Sequence, residues 1–158
     1  MTPADIQPFY RFLSDTDSTR YMSFSNDQKT LAGATAMVDA TIASYDTDGA
    51  IFVLTMTLKD TQDYIGSLGA SPDADANAIE IFYTLLPDYR GKGYAVEAVK
   101  RLVQHLQDAH HATRITAYVM SGNDPSIRVA KRIGMHFDAD IVREGHEGSR
   151  YLLTSEPP

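Results

Sequence analysis

Seven residues, Tyr-Arg-Gly-Lys-Gly-Tyr-Ala at 89–95, separate an apolar run of strand character (Ile79–Leu86) from an amphipathic stretch with helical spacing (Ala95–Asp108). A strand that passes through two glycines straight into a helix constrains the fold more than any other part of the chain. The glycines let backbone approach an anion closely. The first N–H groups of the helix have no intrahelical acceptor and lie at its positive end. Arg90 and Lys92 place positive charge in this turn, although the formal net charge of the chain is −7. The segment predicts an anion cradle. It is not a P-loop, because no Gly-Lys-Ser/Thr closes it, and its Gly-x-Gly lacks the third glycine of a dinucleotide fingerprint.

A chain of 158 residues fits one domain, predicted to span 1–158. A domain of this length buries roughly 68–70% of the surface its unfolded chain exposes, enough for its own core. No run of 18 apolar residues predicts a membrane span, and the N-terminus carries no signal-peptide pattern. The absence of cysteine excludes disulfides, thiolate metal sites and a cysteine nucleophile, and is compatible with a reducing cytoplasm. The acidic balance argues against nucleic acid as partner and suits cations or amines. The five histidines have no metal-ligand spacing, so no metal is expected.

Apolar spacing predicts helices over Pro3–Ser14, over Leu31–Tyr45 with Thr30 as cap, over Ala95–Asp108, and from an Asp124-Pro125 cap to Ile133. Strands are predicted at Ala50–Leu58, Tyr64–Ala70, Ala78–Leu86, Arg114–Met120, Met135–Val142 and Ser149–Leu153. Turns fall at Asp46–Gly49, Ser71–Asn77 and Arg143–Gly148. The order is two helices, three strands, helix, strand, helix, two strands. It predicts one α/β (α+β) domain with helices packed on a mixed sheet.

Residues 80–97 resemble the acetyl-CoA-binding core of the GNAT superfamily of N-acetyltransferases. Its Gln/Arg-x-x-Gly-x-Gly/Ala signature is met by Arg90, Gly93 and Ala95, with Gly91 as an additional glycine. A second segment, Asn123-Asp-Pro-Ser126 through Gly134-Met135, is similar to the helix of the ribosomal-protein N-terminal (alanine/serine) acetyltransferase branch. The resemblance implies a central, mostly antiparallel sheet with helices on both faces. It also implies a notch where the Ile79–Leu86 strand splays from the Arg114–Met120 strand. Acetyl-CoA is the implied co-substrate. Backbone groups of Leu85 and Leu86 would meet the pantetheine arm. Arg90, Gly91, Lys92, Gly93, Tyr94 and Ala95 would hold the pyrophosphate, and Asn123 would bond near the thioester. Members of this branch begin with a strand before the first helix. This chain starts almost at its Pro3 helix, so the resemblance implies a first strand that is missing or truncated.

Transfer of acetyl from a thioester to an amine needs a base to take a proton from an ammonium whose pKa is about 8–10. It also needs donors for the oxyanion and a proton for the thiolate. The resemblance makes Glu80 the base, on the strand leading to the notch; an exposed or arginine-paired carboxylate is the structural alternative. Where many members carry a thiolate-protonating tyrosine this chain has Ala130. The resemblance to the N-terminal-acetyltransferase branch, which has serine at the position of Ser126, implies Ser126 as the acid, through a hydrogen bond or a water relay, with helix-turn hydrogen bonding as its structural alternative. Arg128, Lys131 and Arg132 could reach the 3′-phosphate or form a solvated helix face. Tyr21, Phe24 and Tyr45 could line the acceptor mouth or belong to the core. Glu144, His146 and Glu147 could meet a cationic acceptor or form a solvated turn. The acceptor implied is a primary amine, on a protein N-terminus or a small molecule, acetylated by a monomer or homodimer in the cytoplasm. A CoA-binding or sensory module without transfer is the alternative, and a generic nucleotide-phosphate binder a third.

Overall fold

The structure, a computed structural model, describes residues 1–45, 47, 52–73 and 78–155. The predicted turn at Asp46–Gly49, the first residues of the Ala50–Leu58 strand and most of the Ser71–Asn77 turn lie outside or partly outside these. The elements follow the predicted order. Helices α1 (Ile6–Ser14) and α2 (Leu31–Ser44) precede strands β1 (Phe52–Thr57), β2 (Tyr64–Pro72) and β3 (Ile79–Leu85). Then come α3 (Tyr94–His110), β4 (Arg114–Met120), α4 (Asp124–Arg132), β5 (His136–Arg143) and β6 (His146–Thr154), with 3-10 turns at Pro3–Asp5 and Pro87–Tyr89. The six described strands form one mixed, mostly antiparallel sheet in the order β1-β2-β3-β4-β6-β5.

Contacts group the chain into two compact units, Met1–Gly69 with Tyr83–Lys92, and Ala70–Phe82 with Gly93–Pro158. In the first, α1 repeats apolar residues at helical spacing and buries Phe9, Phe12 and Leu13 against Ala34 and Val38 of α2. The rings of Phe9 and Phe12 stack at 6.1 Å. Burying side chains such as Phe12 and Leu13 contributes about 1.5–3 kcal/mol each. Thr30 caps α2 as predicted, its hydroxyl accepting from the Gly33 N–H at 3.0 Å. Gly66 in β2 lies so close to β3 that a Cβ there would stand 2.1 Å from the Thr84 carbonyl oxygen. Only glycine admits that approach.

In the second unit, α3 buries Ala95, Val99, Leu102, Val103 and Leu106, and β4 buries Ile115, Ala117 and Val119 on one face. The registered parallel pairs of β3 with β4 are Ile79↔Ile115 and Glu80↔Thr116, whereas β4 and β6 pair antiparallel along all seven β4 residues. Two local predictions needed correction. The cap of α4 is Asn123, not Asp124: its side-chain oxygen accepts from the Ser126 N–H, and Pro125 lies one position further into the helix. The predicted Arg143–Gly148 turn shrinks to Glu144-Gly145, with φ of 51° and 80°. Two successive residues at positive φ match the right-handed twist of a hairpin, so the strands run on to Arg143 and His146. A bulge between Phe137 and Ala139 leaves Asp138 as the extra residue, ion-paired to Arg150 at 2.6 Å.

Candidate active site

The glycine turn is built as an anion cradle requires. After the 3-10 turn at Pro87–Tyr89, Gly91 and Gly93 take φ of 75° and 90°, a region other residues enter only at a cost. Gly93 is the N-cap of α3 and brings no side chain to its first turn, where Glu97 N–H bonds back to the Gly93 carbonyl at 3.1 Å. The N–H groups before Glu97 are therefore left to an outside acceptor. Space is available: a Cβ added at Gly91 or Gly93 would meet nothing within 4 Å. A pyrophosphate fits this donor set. Tyr94 is half-buried and Ala95 buried at the start of α3.

The two basic side chains of the turn are engaged locally. Lys92 Nζ sits 5.6 Å from the centre of the Tyr89 ring. Arg90 donates from Nε to the Leu85 carbonyl at 3.2 Å, from Nη1 to Asp17 at 3.3 Å and from Nη2 to the Ser18 hydroxyl at 3.0 Å. The Leu86 N–H donates to the Ile65 carbonyl at 2.9 Å, and its own carbonyl accepts from Tyr89.

A second group of residues gathers around Glu80, which is in register with Thr116 of β4. The Glu80 carboxylate accepts from Arg143 Nη1 at 2.6 Å, and the two side chains are 19% and 39% exposed. The Arg143 guanidinium also lies 4.8 Å from the centre of the Tyr118 ring. Its pKa is pushed up from the ordinary value, first by the hydrogen bond to Glu80, with the charges of Glu80 and Asp73 adding to it against burial. Burial raises the Tyr118 phenol, whose O–H donates to the His146 carbonyl at 2.8 Å. Asp73 accepts from the Thr116 hydroxyl at 2.5 Å. Thr116, Tyr118, Gly148 and Arg150 share one face of the β4–β6 ladder, opposite the buried Ile115, Ala117 and Val119.

Asn123 and Ser126 meet at the start of α4. The Asn123 side-chain oxygen and its carbonyl both accept from the Ser126 N–H, at 3.4 and 3.1 Å. Ser126 is half-buried, while Arg128, Lys131 and Arg132 form an exposed face. Phe24 packs on the α1–α2 core, the Tyr45 hydroxyl donates to the Val53 carbonyl at 2.6 Å, and Tyr21 lies under the Arg20 guanidinium at 5.6 Å. Glu144, His146 and Glu147 are exposed at the hairpin end. No group of three potential metal ligands occurs among the described residues, and none of their helices is long and apolar enough to cross a membrane.

Sequence reasoning did not single out Arg143 or Tyr118. The available signals were weak: a basic residue directly before a Glu-Gly turn, and a tyrosine alternating with Thr116 on a strand.

Family comparison agrees with this architecture. Residues 1–136 match the acetyltransferase (GNAT) domain family. The chain is 29% identical over 150 residues to the N-acetyltransferase p20 of Bacillus licheniformis, covering 94% of this chain and 83% of that protein. It is 33% identical over 85 residues to YkkB of Bacillus subtilis, covering 52% of this chain and about half (49%) of YkkB. Among solved structures, the spermidine N-acetyltransferase of Vibrio cholerae, in complex with CoA and spermine, shares the fold. Its TM-score is 0.81 at 14% identity, over 98% of this chain and 92% of that one. The ribosomal-protein-S5-alanine acetyltransferase of Vibrio fischeri does so with a TM-score of 0.78 at 16% identity, over 98% and 90%. The chain belongs to the GNAT family of acetyltransferases, a class of acyltransferase enzymes. The two structures bear on the fold alone, and they support it almost equally.

Proposed function

We propose that this chain transfers the acetyl group of acetyl-CoA to a primary amine by direct attack on the thioester. The observation that carries the reading is the start of α3. Two glycines at positive φ deliver uncapped helix donors into open space, in the family's cofactor-binding motif. The N–H groups of Gly91 to Ala95 hold the pyrophosphate, and Lys92 adds charge at the rim. Arg90 shapes the turn through Leu85 and Ser18, and Leu85 offers backbone groups to the pantetheine arm. Leu86 has its N–H on Ile65 and serves by placing Leu85.

Acetyl-CoA supplies an activated carbonyl. The chain supplies the rest. Glu80 takes the proton that must leave the acceptor ammonium before its lone pair can attack. Asn123, whose side-chain oxygen is occupied by its own helix, directs its amide NH2 toward the reacting end of the thioester. Ser126 contributes a hydrogen bond or water relay to the departing thiolate. Bound CoA in the Vibrio cholerae structure supports the cofactor, and the spermine there supports an amine acceptor. A protein N-terminus is the other acceptor class, supported by the Vibrio fischeri relative. A need for acetyl-CoA supports a cytoplasmic reaction.

A binding module without transfer is the second reading, favoured by the Arg143 guanidinium held on Glu80. CoA-thiol release measured over a panel of polyamines, amino acids, antibiotic amines and N-terminal peptides separates the two. Acceptor-dependent release establishes transfer, whereas saturable CoA binding without any release establishes the module.

A further inference from the structure

The Arg143 guanidinium lies between the Glu80 carboxylate and the Tyr118 ring. Glu80 is held on a strand in register with Thr116. The Tyr118 ring is tethered through its hydroxyl to the His146 carbonyl. It also lies against Gly148, where a Cβ would come within 2.5 Å of the ring, so the missing side chain is what allows the ring its position. Asp73, the further negative charge acting on Arg143, is held by Thr116. A carboxylate at 2.6 Å and an aromatic face at 4.8 Å thus form a pre-built seat for one cation. The occupant is a long, flexible side chain that is 39% exposed, anchored at the last residue of β5.

We propose that the Glu80 carboxylate and the Tyr118 ring form the docking seat for the acceptor's ammonium, and that Arg143 occupies it as a tethered competitor until a cationic acceptor displaces it. The inference rests on the amine-acceptor reading and deepens it: the acceptor enters as a cation, and Arg143 sets how strongly charged it must be. A partly exposed ion pair contributes little net stability, so a second cation can replace the first at small cost. Displacement also delivers the ammonium directly to Glu80, the group proposed to deprotonate it. An acceptor with a single weak positive charge competes poorly with the resident guanidinium, whereas a polycation competes well. Arg143 is on this account a specificity-determining residue.

The test uses the full-length protein and needs no turnover. Ethylguanidinium and spermidine are titrated calorimetrically into wild type, Arg143→Ala, Arg143→Gln and Arg143→Ala/Glu80→Gln. The second single variant keeps part of the aliphatic stem and a polar end without the charge, and provides the measurement if Arg143→Ala does not fold. Removing the tethered cation is expected to tighten binding of both probes by up to about fivefold, the occupancy expected of a weak ion pair, and the added Glu80→Gln change should abolish that gain. Unchanged affinity in both folded single variants, or a gain that survives Glu80→Gln, overturns the proposal. The thiol-release panel fails independently: tighter probe binding with no acetylated amine retains the seat and removes the transferase reading, and turnover without tighter binding does the reverse.

Discussion

The Arg90 guanidinium reaches the Asp17 carboxylate at 3.3 Å and in the same fork holds the Ser18 hydroxyl at 3.0 Å. The basic residue in the family's signature position thereby fastens the loop after α1 to the end of β3, where its Nε holds the Leu85 carbonyl. A planar guanidinium spreads its donors over three nitrogens in a fixed fork, whereas an ammonium offers its three from a single nitrogen and cannot span these acceptors. Neighbouring Asp15 belongs to the same loop, its carboxyl held below the ordinary range mainly by hydrogen bonds from Ser18.

Arg90→Lys should therefore loosen the loop more than it unsettles the fold. Hydrogen exchange at Asp15–Thr19 should accelerate, with a loss of about 1 kcal/mol or less in global stability, as expected for a partly exposed ion pair. Unchanged exchange across those residues would show that the fork does not order the loop.

Asn123 offers a way to separate architecture from cofactor binding. Asn123→Asp retains a side-chain oxygen for the cap but loses the amide NH2; Asn123→Ala loses both. The alanine variant should cost about 1 kcal/mol in stability, while the aspartate variant should melt close to wild type. Both should raise KM for acetyl-CoA. An aspartate variant with wild-type KM would remove the role assigned to the NH2.

Glu80→Gln should depress turnover most at neutral pH, where the acceptor amine is protonated, and least at high pH, where the amine is already free. Near-wild-type kcat from pH 6 to 9 sinks the base assignment. The melting temperature checks that loss of the Arg143 partner has not unfolded the protein.

Tyr64 predicts an alkaline limit to stability. Burial pushes its phenol from 10.0 up to about 12, despite a hydrogen bond with Ser67 that acts the other way. The folded state thus prefers the neutral phenol. Its contribution is complete below pH 10, declines as the unfolded chain ionises first, and is lost above about 12. The gap between the two values corresponds to roughly 3 kcal/mol. Denaturant titrations between pH 9 and 12 should show a smaller decline in Tyr64→Phe than in wild type. That variant should also lose about 1 kcal/mol at neutral pH, because the buried Ser67 hydroxyl loses its 2.6 Å partner. Parallel declines in the two proteins would mean that other groups set the limit.

At Gly66, alanine forces a methyl group against the Thr84 carbonyl. Backbone must move, at a cost of about 1–3 kcal/mol. A melting temperature within a degree of wild type would show that β2 and β3 can separate without penalty.

How much of this was readable in advance follows from how local each cause is. The Arg114–Met120 strand and the Thr30 cap depend on neighbouring residues, and both occur where periodicity and cap chemistry locate them. Asn123 and Asp124 are adjacent residues of equal capping ability, so local chemistry could not choose between them. The hairpin turn was overestimated because Glu144 is not a typical left-handed residue; pairing of Arg143 with His146 holds it there. The partner of Glu80 is 63 residues away, and nothing in the spacing of the chain forecasts that meeting. Arg90 could be identified by its motif, yet its contacts with Asp17 and Ser18 depend on tertiary placement.

The bare glycine at the start of α3 has a consequence for the life of the protein. A helix whose first donors lack a partner of their own is least secure when nothing else fills that role. Any anion held there lowers the free energy of the folded chain in proportion to the logarithm of its concentration. The persistence of the folded protein in a cell would then track the supply of acyl donor, so that an enzyme deprived of its thioester is also the one most exposed to proteolysis.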